Sequence, residues 1–296
     1  MGEEPRATIP WYRGWAPVFV LPAAVALFTP ADWPRWVFMW LLGGAVFVGC
    51  KWLTWRRTPT TQVPAWRHLA YLLAWPGLDA AAFLKEPLPA DERPKPAEWI
   101  SVAVKVAAGA LLLWGIAPRL NEAPPLSRGW VGMIGIVLIM HFGGFHWLSC
   151  LWRSAGVQAR RLMNSPLLAE GVSDFWGRRW NVAFRDLTHR FLFRPLTARL
   201  GPRWGVIAGF VFSGLIHELV ISVPAQGGYG GPTLFFALQI PALFIERSRF
   251  GRAVGLGSGW RGWLFTALVL VPPAGLLFHP PFVLDVILPF WAAIGA

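Results

Sequence analysis

Six histidines are the side chains of this sequence best suited to move a proton near neutral pH, and their positions sort them. His217 lies deep in the apolar run Phe212–Val220 (FSGLIHELV), with Glu218 beside it. An ionisable pair at such depth is costly in lipid and faces the inside of a helix bundle or a cavity. Ser213 and Gly214 precede it at i−4 and i−3, so its helix face is small and polar. Two readings fit. One is a structural His–Glu pair knitting helices together; the other is a general base placed where water is scarce. His141 and His146 share another apolar run, but their spacing turns them roughly 140° apart on a helix. No two-His metal site is expected there, and each reads as a hydrogen-bonded interior residue. His68, His189 and His279 fall at segment ends or in basic sequence and are expected to be solvated or interfacial. Cys50 and Cys150 sit near the ends of apolar runs without metal-ligand spacing, which predicts small apolar fillers, no disulfide and no metal.

The elements that position these residues must be membrane helices. Hydrophobic residues make up 55% of the 296, charged residues only 14%, and there are 20 Trp and 21 Phe. A water-exposed surface calls for about 25% charged residues, so much of this surface is out of water. The net charge of +12 is gathered in loops between apolar runs, the positive-inside pattern, not that of a nucleic-acid binder.

Eight runs read as spans: Trp15–Phe28, Arg35–Leu53, Trp99–Ala117, Trp130–Trp152, Trp204–Val223, Thr233–Ile245, Gly262–Phe278 and Phe282–Ile294. The first is not expected to be a removable signal peptide, with Glu3 and Glu4 ahead of it and Pro17 and Pro22 within it. His68–Leu84 is apolar but interrupted by Pro76, Gly77 and Asp79. Lys51, Arg56, Arg57 and Arg67 place the loop before it in the cytoplasm, and ten Arg place residues 153–203 there too. Only an even number of crossings fits between two cytoplasmic loops, so His68–Leu84 is expected to be interfacial or re-entrant. The expectation is an all-α polytopic integral membrane protein of about eight spans, both termini cytoplasmic, with residues 1–296 as one membrane-embedded domain. Glu86–Pro96 reads as a solvated connector. Phe175, Trp176, Trp180, Phe184, Leu187 and Phe191 recur at helical spacing with Arg between them, which predicts amphipathic helices at the cytoplasmic headgroups.

No aspartate-rich diphosphate motif, HExxH, GxSxG, Walker loop or TVGYG filter is present. Instead Ser173–Asn181 reads SDFWGRRWN, Phe193–Leu196 reads FRPL, and Ser213–Pro224 reads SGLIHELVISVP. This combination resembles the membrane-bound O-acyltransferase superfamily, in particular its wax synthase branch, over about residues 165–225. The HELVISVP stretch is also similar to diacylglycerol and sterol acyltransferases. The chain departs from the pattern before DFW, where Gly171, Val172 and Ser173 stand in place of SLQ, and it lacks the FYxDWW element of diacylglycerol acyltransferases.

The resemblance implies transfer of an acyl group from a coenzyme A thioester to a hydroxyl, with no permanently bound cofactor and acyl-CoA as co-substrate. It implies His217 as the catalytic base and Asn181 as its assistant, with Glu218 and Ser213 in support. Both residue types suit such a transfer. A neutral imidazole accepts an alcohol's proton, and an amide can donate to a developing oxyanion. Arg178 and Arg179, with Trp180, are expected at the acyl-CoA, because guanidinium pairs well with phosphate. Trp176 and Trp180 otherwise read as packing or interfacial residues, and Arg160, Arg161, Arg199 and Arg203 as lipid anchors. A long-chain alcohol is the expected acceptor. The alternatives are an O-acetyltransferase of a sugar, sterol or secondary metabolite, and a non-catalytic lipid-binding or transport protein.

Overall fold

The computed structural model describes residues 12–60, 62–85 and 87–296. Glu3 and Glu4, on which the signal-peptide argument drew, lie outside the described residues, as does Glu86 of the expected connector. Among the described residues there is no β-strand, only an isolated bridge between Pro87 and Val157. Five helices are long and apolar enough to cross a membrane: α2 (Arg35–Arg56), α5 (Ala90–Arg119), α6 (Pro125–Ser154), α9 (Pro202–Ala225) and α11 (Gly259–Leu277). Three further expected spans are helical but shorter: α1 (Ala16–Phe28), α10 (Gly231–Arg247) and α12 (Pro280–Ala293). The outside of the bundle is apolar, with Phe28, Leu73, Val104, Leu268 and Val271 all exposed. Such a surface is solvated by acyl chains, and the protein is an integral membrane protein.

The interrupted segment does not form a span. It breaks into α3 (Ala65–Ala74) and α4 (Ala80–Lys85), with Trp75 extended between them. Pro76 disfavours a helical residue before it, and Asp79 accepts from Ala82 N–H to start the next turn (3.1 Å). Lys51 holds this break in place, and here the charge reading needs correction. Lys51 is not a loop charge. It lies within α2, 2% exposed, donating Nζ to Gly77 O (2.6 Å) over the face of Tyr71. A fully buried amine is tolerated only with such partners.

Within residues 153–203 short helices run from Val172 to Leu200, over the stretch whose periodicity predicts them, after a mostly irregular segment at 155–171. A turn at Val172–Asp174 runs into a wide π-turn at Phe175–Arg179; α7 (Val182–Thr188) and α8 (Arg194–Leu200) follow. One core cluster seats Val182, Ala183 and Leu187 of α7 on Tyr71, Trp75 and Phe83. A second joins Ile221, Phe235, Phe236, Phe282 and Val286 across α9, α10 and α12.

Candidate functional site

His217 ends the regular part of α9, and a π-turn over Glu218–Ser222 follows at once. Its Nδ1 lies 2.7 Å from Ser213 O. A carbonyl only accepts, so Nδ1 carries the hydrogen and Nε2 keeps its lone pair. Among the described residues Nε2 has no hydrogen-bonding partner in the protein. The Ser213 hydroxyl turns back to Gly209 O (2.9 Å), so Ser213 supports the histidine through its carbonyl. Gly214 explains itself by packing: a Cβ there would stand 2.9 Å from Thr233 Cα, so only glycine lets α10 approach so closely.

Glu218 faces another way. Its Oε1 accepts from Thr233 N–H (3.0 Å) in the first turn of α10, where a helix N-terminus favours negative charge. Its second oxygen is buried without a partner among the described residues.

Asn181 adopts a left-handed conformation (φ 39°) and caps α7, its Oδ1 accepting from Phe184 N–H at 3.2 Å. That bond fixes which amide atom is oxygen, and Nδ2 has no protein acceptor among the described residues. Asn181 and His217 are not hydrogen-bonded to each other. What joins their segments is aromatic packing, through α10 and directly between α7 and α9. The Phe236 ring lies 4.6 Å from His217 and 5.5 Å from Trp176 of the DFW segment, and Phe184 stacks on Phe212. Trp176 donates Nε1 to Gln239 Oε1 (3.2 Å), a fully buried amide. Trp180 stacks on Phe175 at 5.5 Å and packs on Phe142.

Glu246 is a further contributor that lay outside the motifs. Buried at 4% exposure on α10, its carboxylate accepts from Val172 N–H, Ser173 N–H and the Ser173 hydroxyl. This holds the DFW segment at the position where the sequence departs from the wax synthase pattern. Glu246, Gln239 and Phe236 share one helix at a spacing of three to seven residues, and a buried Gln and Glu in an apolar run is the only signal they offered.

The arginines pair around shared acids. Asp174 takes Arg178 (2.8 Å) and Arg179 (2.5 Å), Asp186 takes Arg160 and Arg185 (both 2.7 Å), and Glu98 takes Arg153 (2.5 Å) and Arg161 (3.2 Å). Burial alone pushes the Asp174 carboxyl up. The bonds from Arg179, Glu170 N–H and Arg178 outweigh it and hold the group below the usual carboxylate range. For Asp186 burial dominates, and its carboxyl is raised despite both guanidiniums.

His146, Glu98 and Cys150 bring ligand atoms within 4.8 Å of one another. They do not fit a metal, because the carboxylate is already held by two guanidiniums and His146 Nδ1 faces Lys105 Nζ at 3.2 Å. A cation there would meet three others. Both cysteines are free and buried.

Two histidines depart from expectation. His279, expected at an interface, is 5% exposed, accepting Phe282 N–H at Nδ1 (3.2 Å) and meeting Ser222 Oγ at Nε2 (3.1 Å). The close packing of the 227–231 loop buries it, with Gly228 pressed against its ring. His141, expected to be hydrogen-bonded, packs on Phe145, and its Nδ1 is buried with no partner among the described residues. His68 accepts from Trp55 Nε1 (2.9 Å), and His189 is exposed.

Comparison with known proteins bears on the same stretch. Residues 159–238 match the family model described as "Membrane bound O-acyl transferase family". A probable long-chain-alcohol O-fatty-acyltransferase of Arabidopsis thaliana is 31% identical over 134 residues, 40% of this chain and 39% of the relative. Diacylglycerol O-acyltransferase 1 of the same plant is 30% identical over 154 residues, 50% of this chain and 28% of its own. An Arabidopsis acyl-CoA–sterol O-acyltransferase is 39% identical over 64 residues, 19% of each. The matched part of the chain spans about two fifths of the first of these relatives.

Proposed function

We propose that the protein, whose residues 159–238 match the membrane bound O-acyl transferase family model, is an acyl-CoA-dependent O-acyltransferase esterifying a long-chain alcohol. One observation carries the reading: His217 Nδ1–H is tied to Ser213 O, so the free Nε2 is the tautomer a general base needs. In the proposed reaction Nε2 takes the alcohol's proton as the oxygen attacks the thioester carbonyl carbon. The carbonyl oxygen becomes an oxyanion, to which Asn181 Nδ2 donates. The C–S bond then breaks, and the leaving thiolate takes the proton back from the imidazolium. No acyl-enzyme forms, and proton and acyl group balance within one ternary complex.

Arg178, Arg179 and Trp180 lie at the donor's side in this reading. Arg178 is the most open, its side chain 76% exposed, whereas Arg179 is also engaged by Ser165 O (3.2 Å). The proposal keeps one membrane-embedded domain of eight crossings, with both termini and the arginine-rich helices in the cytoplasm, where acyl-CoA is found. Its test is direct. Purified protein is incubated with a panel of acyl-CoA donors and long-chain alcohols, and esters are detected by mass. Ester formation with alcohols is the expected result; folded protein that makes no ester from any pair removes the reading.

A further inference from the structure

The chain between α10 and α11 carries Arg247, Arg249, Arg252 and Arg261, and no acid follows Glu246 until Asp285. All four arginines are exposed, and none is ion-paired among the described residues. The two acids that touch this loop are spent on backbone. Glu246 takes Val172 N–H, and Glu170 Oε2 accepts from Gly259 N–H (2.9 Å). Four positive charges therefore stand together without an answering carboxylate. Large rings share their surface: Phe250 is 67% exposed and Trp260 70%, with the Arg261 guanidinium 5.5 Å from the Trp260 ring. A short loop returns the chain from Ala225 of α9 to Gly231 of α10, so the Arg247 end of α10 lies on the membrane face where α9 begins, beside the arginine-rich helices. Exposed aromatics and arginines at the end of a spanning helix belong at headgroup level. The loop is also strapped to the candidate site. At its entrance Glu246 clasps Val172 and Ser173. At its exit Glu170 holds Gly259, Trp263 donates Nε1 to Leu167 O (2.8 Å), and Gly262 lies so close to Glu170 O that a Cβ would clash. The run 167–173 leads directly into the DFW segment that ends at Asn181.

We propose that residues 247–263 are a docking surface for anionic phospholipid headgroups, and that a docked headgroup steadies the 167–173 run through these straps. Guanidinium forks match the oxygens of a phosphodiester in pairs. Each arginine at a membrane surface favours anionic lipid, and four together select it over zwitterionic lipid. Phe250 and Trp260 fit the same occupant, because their rings can enter the boundary between headgroup and acyl chain, which a soluble anion does not offer. The coupling is a matter of population. A lipid that binds the ordered loop better than a loosened one shifts the protein toward order, and both ends of the loop carry that order into the run before Asn181. The inference concerns membrane composition and stands apart from the acyl transfer proposed above.

The full chain is placed in phosphatidylcholine nanodiscs carrying a trace of photoreactive phosphatidylglycerol or photoreactive phosphatidylcholine, as parent and as Arg247→Gln/Arg249→Gln. Both side chains are exposed and neither holds another residue among the described residues, so the substitution takes no contact from the fold. The parent should be labelled within 247–263 by the glycerol probe in preference to the choline probe, and the Gln variant should lose at least about tenfold of that preference. Arg247→Lys/Arg249→Lys keeps the charge and should recover part of it. Glycerol phosphate in solution should compete no better than chloride at equal ionic strength. Hydrogen exchange over residues 167–174, followed by mass spectrometry, should slow when unlabelled phosphatidylglycerol is added to the parent and stay unchanged in the Gln variant. Equal labelling by the two probes, an undiminished preference in the Gln variant, or displacement by glycerol phosphate would overturn the docking surface. Selective labelling without any change in exchange would overturn the coupling. If the Gln variant yields no folded protein, the comparison of the two probes in the parent decides alone.

Discussion

In the proposed reaction His217 is the residue on which the chemistry turns. Removing a general base costs about 10² to 10⁴ in rate, or roughly 2.7 to 5.5 kcal/mol of barrier. His217→Ala should therefore lose ester formation while remaining folded and binding donor, and Asn181→Ala should do likewise. If the two act as a unit, the double variant falls far short of the summed effects. Single-turnover rate and thermal stability on the same preparation check this, and a stable His217→Ala with near-parent turnover would sink the mechanism. Asp174 makes a different forecast. Its folded carboxyl titrates below its unfolded one, so the stability it lends is complete above about pH 4 and is lost as pH falls through the folded value. Asp174→Asn should cost on the order of 1–3 kcal/mol near neutral pH, and the stabilities of parent and variant should converge as pH falls through the folded carboxyl's own value. His217 and Asn181 stand out as candidates in the sequence because each sits in a contiguous motif. Glu246 and Gln239 do not, since a buried carboxylate declares its partner only when Ser173, 73 positions earlier, folds onto it.

At the scale of elements, the contact between α9 and α10 decides the geometry. Gly214 admits the α10 backbone, and Phe236 of α10 touches both His217 and Trp176. Gly214→Ala must push the two helices apart, at a cost of about 1–3 kcal/mol for overpacking, and should lower turnover by carrying His217 away from Trp176. Gly209→Ala, on the same helix with nothing near its added methyl, is the control and should leave both stability and turnover at parent values. The helices themselves were readable from hydropathy, and the break at Trp75–Asp79 from Pro76 and Gly77. The pairing of α9 with α10 was not, because apolar helices in lipid are sorted by small-residue contacts that periodicity does not rank.

For the molecule as a whole, the proposed orientation rests on where charge gathers. Tyr229, 64% exposed in the loop between α9 and α10, is a better reporter than neighbouring Gly228, whose positive φ and contact with His279 leave no room for a side chain. Tyr229→Cys should react with an impermeant maleimide on intact cells. Leu167→Cys, 84% exposed in the arginine-rich region, should react only after permeabilisation; the native thiols at 8% and 0% exposure give little background. Labelling in the reverse order would invert the topology. The acid clasp between Glu246 and Val172–Ser173 also sets a schedule for synthesis. At about 5–20 residues per second, the ribosome adds Glu246 on the order of 4 to 15 s after Ser173. Through that interval the segment bearing Asn181 waits without its anchor, and the two parts of the candidate site come together only once α10 has been made.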